Sequence, residues 1–345
     1  MAVTAPRTRS DAVPLKTYKT SGRPSVIAGI GVHAPERLLT NADLEKMVET
    51  SDQWITERSG IKVRHVAEPG TTTYSLAHAA AVRALDDAGI TAKDLDTIIC
   101  ATSSPDAPFP SVACRVQEQL GVPGAAAFDL LAACTGFVYA LSVADSFIAT
   151  GRAETVLVIG AEVLTRMIDF TDRGTCVLFG DGAGAAVVRP AEKGGGFRSW
   201  CLGSDGRGYG QITTGADVER GPYTAHESDP YIAMKGPDVF KFATDIFIRQ
   251  AQAVAQAAGL TMDDIDLWVP HQANRRIIEA AARRIGLPLE RVMINIDRYG
   301  NTSTATIPLA LKDALAAKRI NRGDRVLMAG FGSGLTWGAC LLEWE

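Results

Sequence analysis

Three polar residues follow apolar runs in this 345-residue chain: Cys134 in AFDLLAACTGFVYAL, His271 in LWVPHQANRR and Asn301 in INIDRYGNTSTATIPLAL. Cys134 follows a strand-like run and opens a helix-like one. A thiol at a helix N-terminus feels unpaired N–H groups and the positive end of the dipole, which lowers its pKa and makes a nucleophile. Its neighbours, alanines before and Thr135-Gly136 after, let a substrate approach the backbone. His271 comes after a proline at the end of a buried strand, so its ring leaves the sheet at a strand's C-terminal edge, where sites in open α/β sheets lie. Asn301 alone reads as a helix N-cap or turn residue, and gains meaning from its company. The loop GFGSGLTWG (330–338) offers either backbone N–H groups for an oxyanion or a plain tight turn.

Other candidates carry less. Cys100, Cys176 and Cys340 lie within apolar strands and, with Cys114 and Cys201, read as small core residues. His33, His65, His78 and His226 stand in loop or helix-face contexts with nothing converging on them. FGDGAGAAVV (179–188) is followed by a strand-like run instead of a helix, which rejects a dinucleotide loop. No Cys/His spacing supplies three or four metal ligands.

The elements that must position the three residues repeat at an offset of 170: AGITAKDLDTII (88–99) reads like AGLTMDDIDLWV (258–269), and ETVLVIGAE (154–162) like DRVLMAGFG (324–332). In each copy an Ala-rich amphipathic helix ends at glycine, an Asp-containing loop follows, and apolar strands alternate with helices. This predicts an α/β fold of two similar halves, 25–190 and 191–345, with parallel sheets covered on both faces and packed through central helices. EKGGGFRS (192–199) marks either the seam or a surface hairpin.

With 46% hydrophobic residues the chain can bury a sizeable core, and a net charge of −4 gives no support to nucleic-acid or anionic-membrane binding. Scattered cysteines without a CxxC pair indicate a reducing, cytoplasmic setting. No apolar run is long enough to span a membrane. Residues 1–24, rich in Thr, Ser, Pro and basic groups, read as a disordered tail, with a transit peptide or partner-binding arm as alternatives.

From Val26 to the C-terminus the chain resembles the condensing enzymes of the thiolase superfamily, and within them the β-ketoacyl-acyl-carrier-protein synthase III family. The resemblance rests on TNADLEKMVETSDQWITERSGI (40–61), FPSVAC (109–114), AACTGFVYALSVAD (132–145), TDRGTCVLFGDGAGAAV (171–187), VPHQANRRII (269–278), YGNTSTATIP (299–308) and GFGSGLTWG (330–338). It implies a thiolase-like five-layered αβαβα fold of two duplicated halves, a homodimer, and Cys134, His271 and Asn301 as the catalytic set. It further implies an oxyanion hole from the backbone N–H groups of Cys134 and Ser333, where many relatives carry glycine. Trp54 and Arg173 would flank the adenine of coenzyme A, with Thr50, Arg58, Asn274 and Arg276 around the nucleotide and pantetheine. Phe109 would close the partner's acyl pocket and select short primers. Lys241, Arg249, Arg276, Arg283 and Arg284 would meet an acidic carrier protein, though a solvated basic face reads as well.

The implied reaction is decarboxylative condensation of a short acyl-CoA with malonyl-acyl-carrier protein, initiating fatty acid synthesis, with no permanently bound cofactor or metal. A degradative thiolase would need a second cysteine near the last glycine loop, and elongating synthases a second histidine in place of Asn301. A priming ketosynthase of a specialised pathway is the alternative, and an inactive scaffold the alternative from another class.

Overall fold

The repeat at offset 170 becomes two stacked five-stranded sheets in the computed structural model, which describes residues 13–214 and 231–345. The first runs in the order β2 (Ser25–His33), β8 (Gly182–Pro190), β7 (Val156–Glu162), β5 (Thr97–Ala101), β6 (Ala126–Leu130). The second runs β1 (Thr17–Lys19), β9 (Gly196–Ser204), β14 (Thr336–Glu343), β13 (Arg325–Gly332), β12 (Leu267–Pro270). Helices α5 (Gly136–Ala149) and α9 (Thr306–Ala316) lie between the sheets. Helices α3 (Thr73–Ala88) and α4 (Val112–Leu120) cover the outside of one, and α6 (Gly236–Ala257) and α7 (Arg275–Ile285) the outside of the other. The result is the five-layered thiolase-like α/β fold built from two duplicated halves.

Strand periodicity explains the layering. Ile99, Val158, Val269 and Met328 point into the central layer, where Phe137, Leu141, Ile307 and Leu311 await them. Their immediate neighbours Ile98, Leu157, Trp268 and Leu327 point to the outer helices. Because successive side chains face opposite sides of a strand, each strand is apolar throughout and buried on both faces.

The repeated aspartates have repeated duties. Asp94 and Asp264 each accept from the backbone N–H three residues earlier, of Thr91 and Thr261, at 2.8 Å. Asp96 accepts from the N–H groups of Glu154 (2.7 Å) and Thr155 (3.0 Å), and Asp266 from that of Arg325 (2.8 Å). Each carboxylate therefore ties the start of one parallel strand to the start of the next.

Two short ribbons, β3 (Leu38–Thr40) with β4 (Val63–His65) and β10 (Ile212–Thr214) with β11 (Ile232–Met234), flank the site together with α1 (Asn41–Leu44), α2 (Asp52–Ser59) and α8 (Ile296–Tyr299). No helix among the described residues is long and apolar enough to cross a membrane.

Three expectations are corrected. The sheets are mixed: β5–β6, β5–β7 and β12–β13 are parallel, but β8 and β14 run antiparallel to the strands before them. The alternation of strands and helices breaks in the second copy, where INID turns into α8 and leaves only a bridge between Trp268 and Val292. The tail is not wholly disordered: Thr17–Lys19 pairs with β9 and closes that sheet's edge, and Thr20 Oγ1 donates to Asp145 at 3.2 Å. Residues 1–12 and His226 lie outside the described residues.

Candidate active site

Cys134, His271 and Asn301 open on one cavity of about 550 Å³ between the ends of the two sheets. Its other walls are largely apolar, including Leu164, Met167, Ile212, Ile232 and Phe331.

Cys134 stands in a 3-10 turn, Ala133–Thr135, just before α5, and not at the first residue of the helix. Ala133 holds the unusual φ of +46°, and it lines the cavity beside Cys134. The expected lowering of the thiol pKa is overturned. Burial pushes it up to about 12, with the nearby Glu162 carboxylate acting the same way, against a hydrogen bond from Ser303 Oγ to Sγ of 3.3 Å. One dipole end cannot offset the loss of solvation around a charged sulfur.

His271 directly follows β12, its N–H donating to Ala329 O at 2.8 Å. The ring is buried, edge-on to Phe331 at 5.5 Å, and desolvation alone lowers its pKa to about 3. It is a neutral imidazole. Nδ1 and Thr306 Oγ1 share a hydrogen bond of 2.6 Å, and that hydroxyl also lies 2.9 Å from Ser303 O. The ring is thus anchored through Nδ1, and Nε2 is the nitrogen left for a ligand in the cavity.

Asn301 does not open a helix as expected. It bridges Phe179, with N–H to Leu178 O at 2.9 Å and its carbonyl accepting from Gly180 N–H at 3.1 Å, while the helix starts only at Thr306. Its Oδ1 accepts from Ser303 N–H at 2.9 Å, so the amide nitrogen is what it can offer a ligand. The site as a whole offers a thiol and, beside it, a neutral imidazole and a side-chain amide that can engage a carbonyl.

Ser333 follows β13 and lines the cavity, its side chain tied to Ile212 O at 2.6 Å. The preceding Gly332 is required: a Cβ there would lie 2.7 Å from Cys134 N, blocking that N–H.

The remaining expected residues are spread from the cavity to the surface. Arg173 lies over the Trp54 ring at 5.0 Å and donates to Glu49 O, so a purine would enter between them only if Arg173 swings away. Thr50 Oγ1 is buried without a hydrogen-bond partner among the described residues, a group ready for a ligand. Asn274 caps α7, accepting from Arg276 N–H at 2.8 Å, and its Nδ2 donates to Arg58 O at 2.9 Å. Arg276 is exposed beside the Phe240 ring. Lys241, Arg283 and Arg284 are exposed. Arg249 is not presented for docking: it is half-buried, donating to Val13 O of the N-terminal segment, with Asp245 at 3.6 Å. Phe109 is 84% exposed and lies outside the cavity.

Sequence reasoning missed Glu162, Ser303 and Thr306. Their duty is visible only once distant segments meet, though the offset of 170 pairs Ser303 with Ala133 and Thr304 with Cys134.

Two family models match: 3-oxoacyl-[acyl-carrier-protein] synthase III over residues 128–206 and its C-terminal counterpart over 255–344. Beta-ketoacyl-[acyl-carrier-protein] synthase III of Desulfitobacterium hafniense strain Y51 is 49% identical over 322 residues, spanning 92% of this chain and 97% of that one. Among solved structures, 3-oxoacyl-[acyl-carrier-protein] synthase III of Aquifex aeolicus VF5 superposes with a TM-score of 0.88 at 46% identity, over 93% of this chain and 100% of that one. The priming β-ketosynthase of the R1128 polyketide pathway also superposes with a TM-score of 0.88, at 35% identity over 94% and 98% of the two chains.

Proposed function

The chain belongs to the 3-oxoacyl-[acyl-carrier-protein] synthase III family, and from that premise we propose how its residues divide the work. The protein is an acyltransferase of the condensing class. It joins a short acyl-CoA primer to malonyl-acyl-carrier protein, releasing CoA and CO2, and so initiates fatty acid synthesis. The specialised priming role is not favoured, since curated synthase III relatives reach 49% identity over 92% of the chain and the polyketide priming enzyme is 35% identical.

The observation that carries the assignment is the opening of Cys134, His271 and Asn301 on one cavity. In the first half-reaction Cys134 Sγ attacks the thioester carbon while the N–H groups of Cys134 and Ser333 hold the oxyanion. The thiol proton ends on the departing CoA sulfur, so the exchange is proton-neutral and proceeds from a protonated cysteine. In the second, His271 Nε2–H and Asn301 Nδ2–H hold the malonyl thioester carbonyl as CO2 leaves and its oxygen gains enolate charge. The carbanion attacks the acyl-Cys134 carbonyl, and the released sulfur takes up one proton. The burial that opposes thiolate formation favours this last step.

Trp54, Arg173, Thr50, Arg58, Asn274 and Arg276 bind CoA, which enters as substrate. Arg276, Arg283, Arg284 and Lys241 meet the carrier protein. A second copy covers the free edge of β6, where Phe109 and Leu131 are 84% and 78% exposed, and brings Phe109 to the neighbouring acyl pocket. The six cysteines are free, which suits the cytoplasm. The halves divide between β8 and β9, at residues 190–191.

The test is intact-protein mass spectrometry after mixing with acetyl-CoA. One acetyl group is expected on wild type, His271→Ala and Asn301→Ala, and none on Cys134→Ala. An adduct on Cys134→Ala, or none on His271→Ala, overturns this division.

A further inference from the structure

Glu162 ends β7 as a fully buried carboxylate in an otherwise apolar strand. It accepts from Ser103 N–H (3.1 Å), Ser104 Oγ (2.6 Å), Thr102 Oγ1 (3.3 Å) and Thr304 Oγ1 (3.0 Å), while burial pushes its pKa up against these hydrogen bonds. Burying a carboxyl is costly without such partners, so four hydrogen bonds from two separate segments indicate a duty. The turn it grips, Ser303–Ala305, is itself unusual. Ser303 holds φ of +49°, a conformation a serine keeps only when its surroundings impose it. From that position Ser303 touches two members of the proposed catalytic set and reaches the third through Thr306: Oγ bonds Cys134 Sγ, N–H bonds Asn301 Oδ1, and O meets the Thr306 hydroxyl that holds His271 Nδ1.

Resting on the division of labour above, we propose that Glu162 is the positioning residue of this site, fastening the Ser303–Thr304 turn so that one residue sets the mutual placement of nucleophile and both carbonyl donors. It touches no reacting atom. Its loss misplaces both half-reactions together, while CoA contacts on α2 and α7 stay intact.

The experiment compares wild type with Glu162→Ala, Glu162→Gln and Ser303→Ala. Read-outs are the first-order rate of Cys134 acetylation by acetyl-CoA, the rate of malonyl-carrier-protein decarboxylation without primer, and the pH dependence of Cys134 alkylation by iodoacetamide. Rate constants per site are insensitive to a lost folded fraction. Glu162→Ala should slow both half-reactions at least about tenfold with the acetyl-CoA KM within about twofold. Glu162→Gln should restore most of both rates, because the hydroxyl partners can turn to accept from its amide. Ser303→Ala should slow both and move the alkylation midpoint upward, since it removes a donor to the thiolate. A loss confined to one half-reaction, Gln as impaired as Ala, or Ser303→Ala with both rates and the midpoint unchanged would overturn the proposal. Should Glu162→Ala fail to fold, Ser303→Ala decides. A wild type that acetyl-CoA does not acylate overturns the functional reading instead, and alkylation still reports on Ser303.

Discussion

The turns Ala133–Thr135 and Ser303–Ala305 are the same structure made twice. Each is a 3-10 turn leading into a central helix, each starts on a non-glycine residue at positive φ, +46° and +49°, and 170 residues separate them. Gly160 admits the second turn, since a Cβ there would lie 2.4 Å from Thr304 O. Their side chains differ. At the offset of 170, Cys134 corresponds to Thr304, Ala133 to Ser303, Ala101 to His271 and Glu162 to Gly332. One half carries Cys134 and the buried Glu162, and the other carries His271, Asn301 and the glycine that leaves Cys134 N–H open. Duplication supplied the backbone twice, and neither half alone holds a complete site.

The strongest break of this comparison is Cys134→Ala, which should abolish acyl transfer, with Thr304 unable to replace it. His271→Ala and Asn301→Ala should lower decarboxylation and condensation on the order of 10²–10³-fold while acylation survives, as loss of an oxyanion donor does. Because His271 is already neutral, the decarboxylation rate should show no titration near the ordinary histidine value and stay flat from about pH 8 down to 5. A descending limb near the ordinary histidine value in the single-turnover pH profile would contradict this.

A finer cut separates Gly332 from Gly330. Gly332→Ala puts a Cβ 2.7 Å from Cys134 N and should slow acylation by about tenfold or more, measured in a single turnover. Gly330→Ala meets Cys134 O at 3.4 Å, an ordinary contact, and should act within a few-fold of wild type. Stability tests the scaffold shared by both halves: Asp96→Ala, losing two N–H partners, should cost about 1–3 kcal/mol in urea unfolding, and Asp266→Ala, losing one, less. The smallest effect is expected at the surface, where reversing Arg283 and Arg284 to Glu should raise the KM for malonyl-carrier protein several-fold and spare acylation, as added salt should.

The sequence by itself determined the duplicated α/β layering and singled out Cys134, His271 and Asn301 as candidates, because apolar periodicity, glycine stops and polar residues at strand ends are local signals. It also carried the aspartates at 94, 96, 264 and 266, whose partners lie at matching offsets. It misjudged what depends on solvation and on distant segments. The thiol pKa reverses direction because burial outweighs a helix end, Arg249 is taken by Val13 instead of a partner, and Asn301 is held by Phe179 and Ser303 instead of a helix. Glu162 gave no local sign of its duty, since its partners sit 58–142 residues away. Only the tertiary structure brings those groups within hydrogen-bond reach, and a buried polar group takes its meaning from the partners that compensate its lost water.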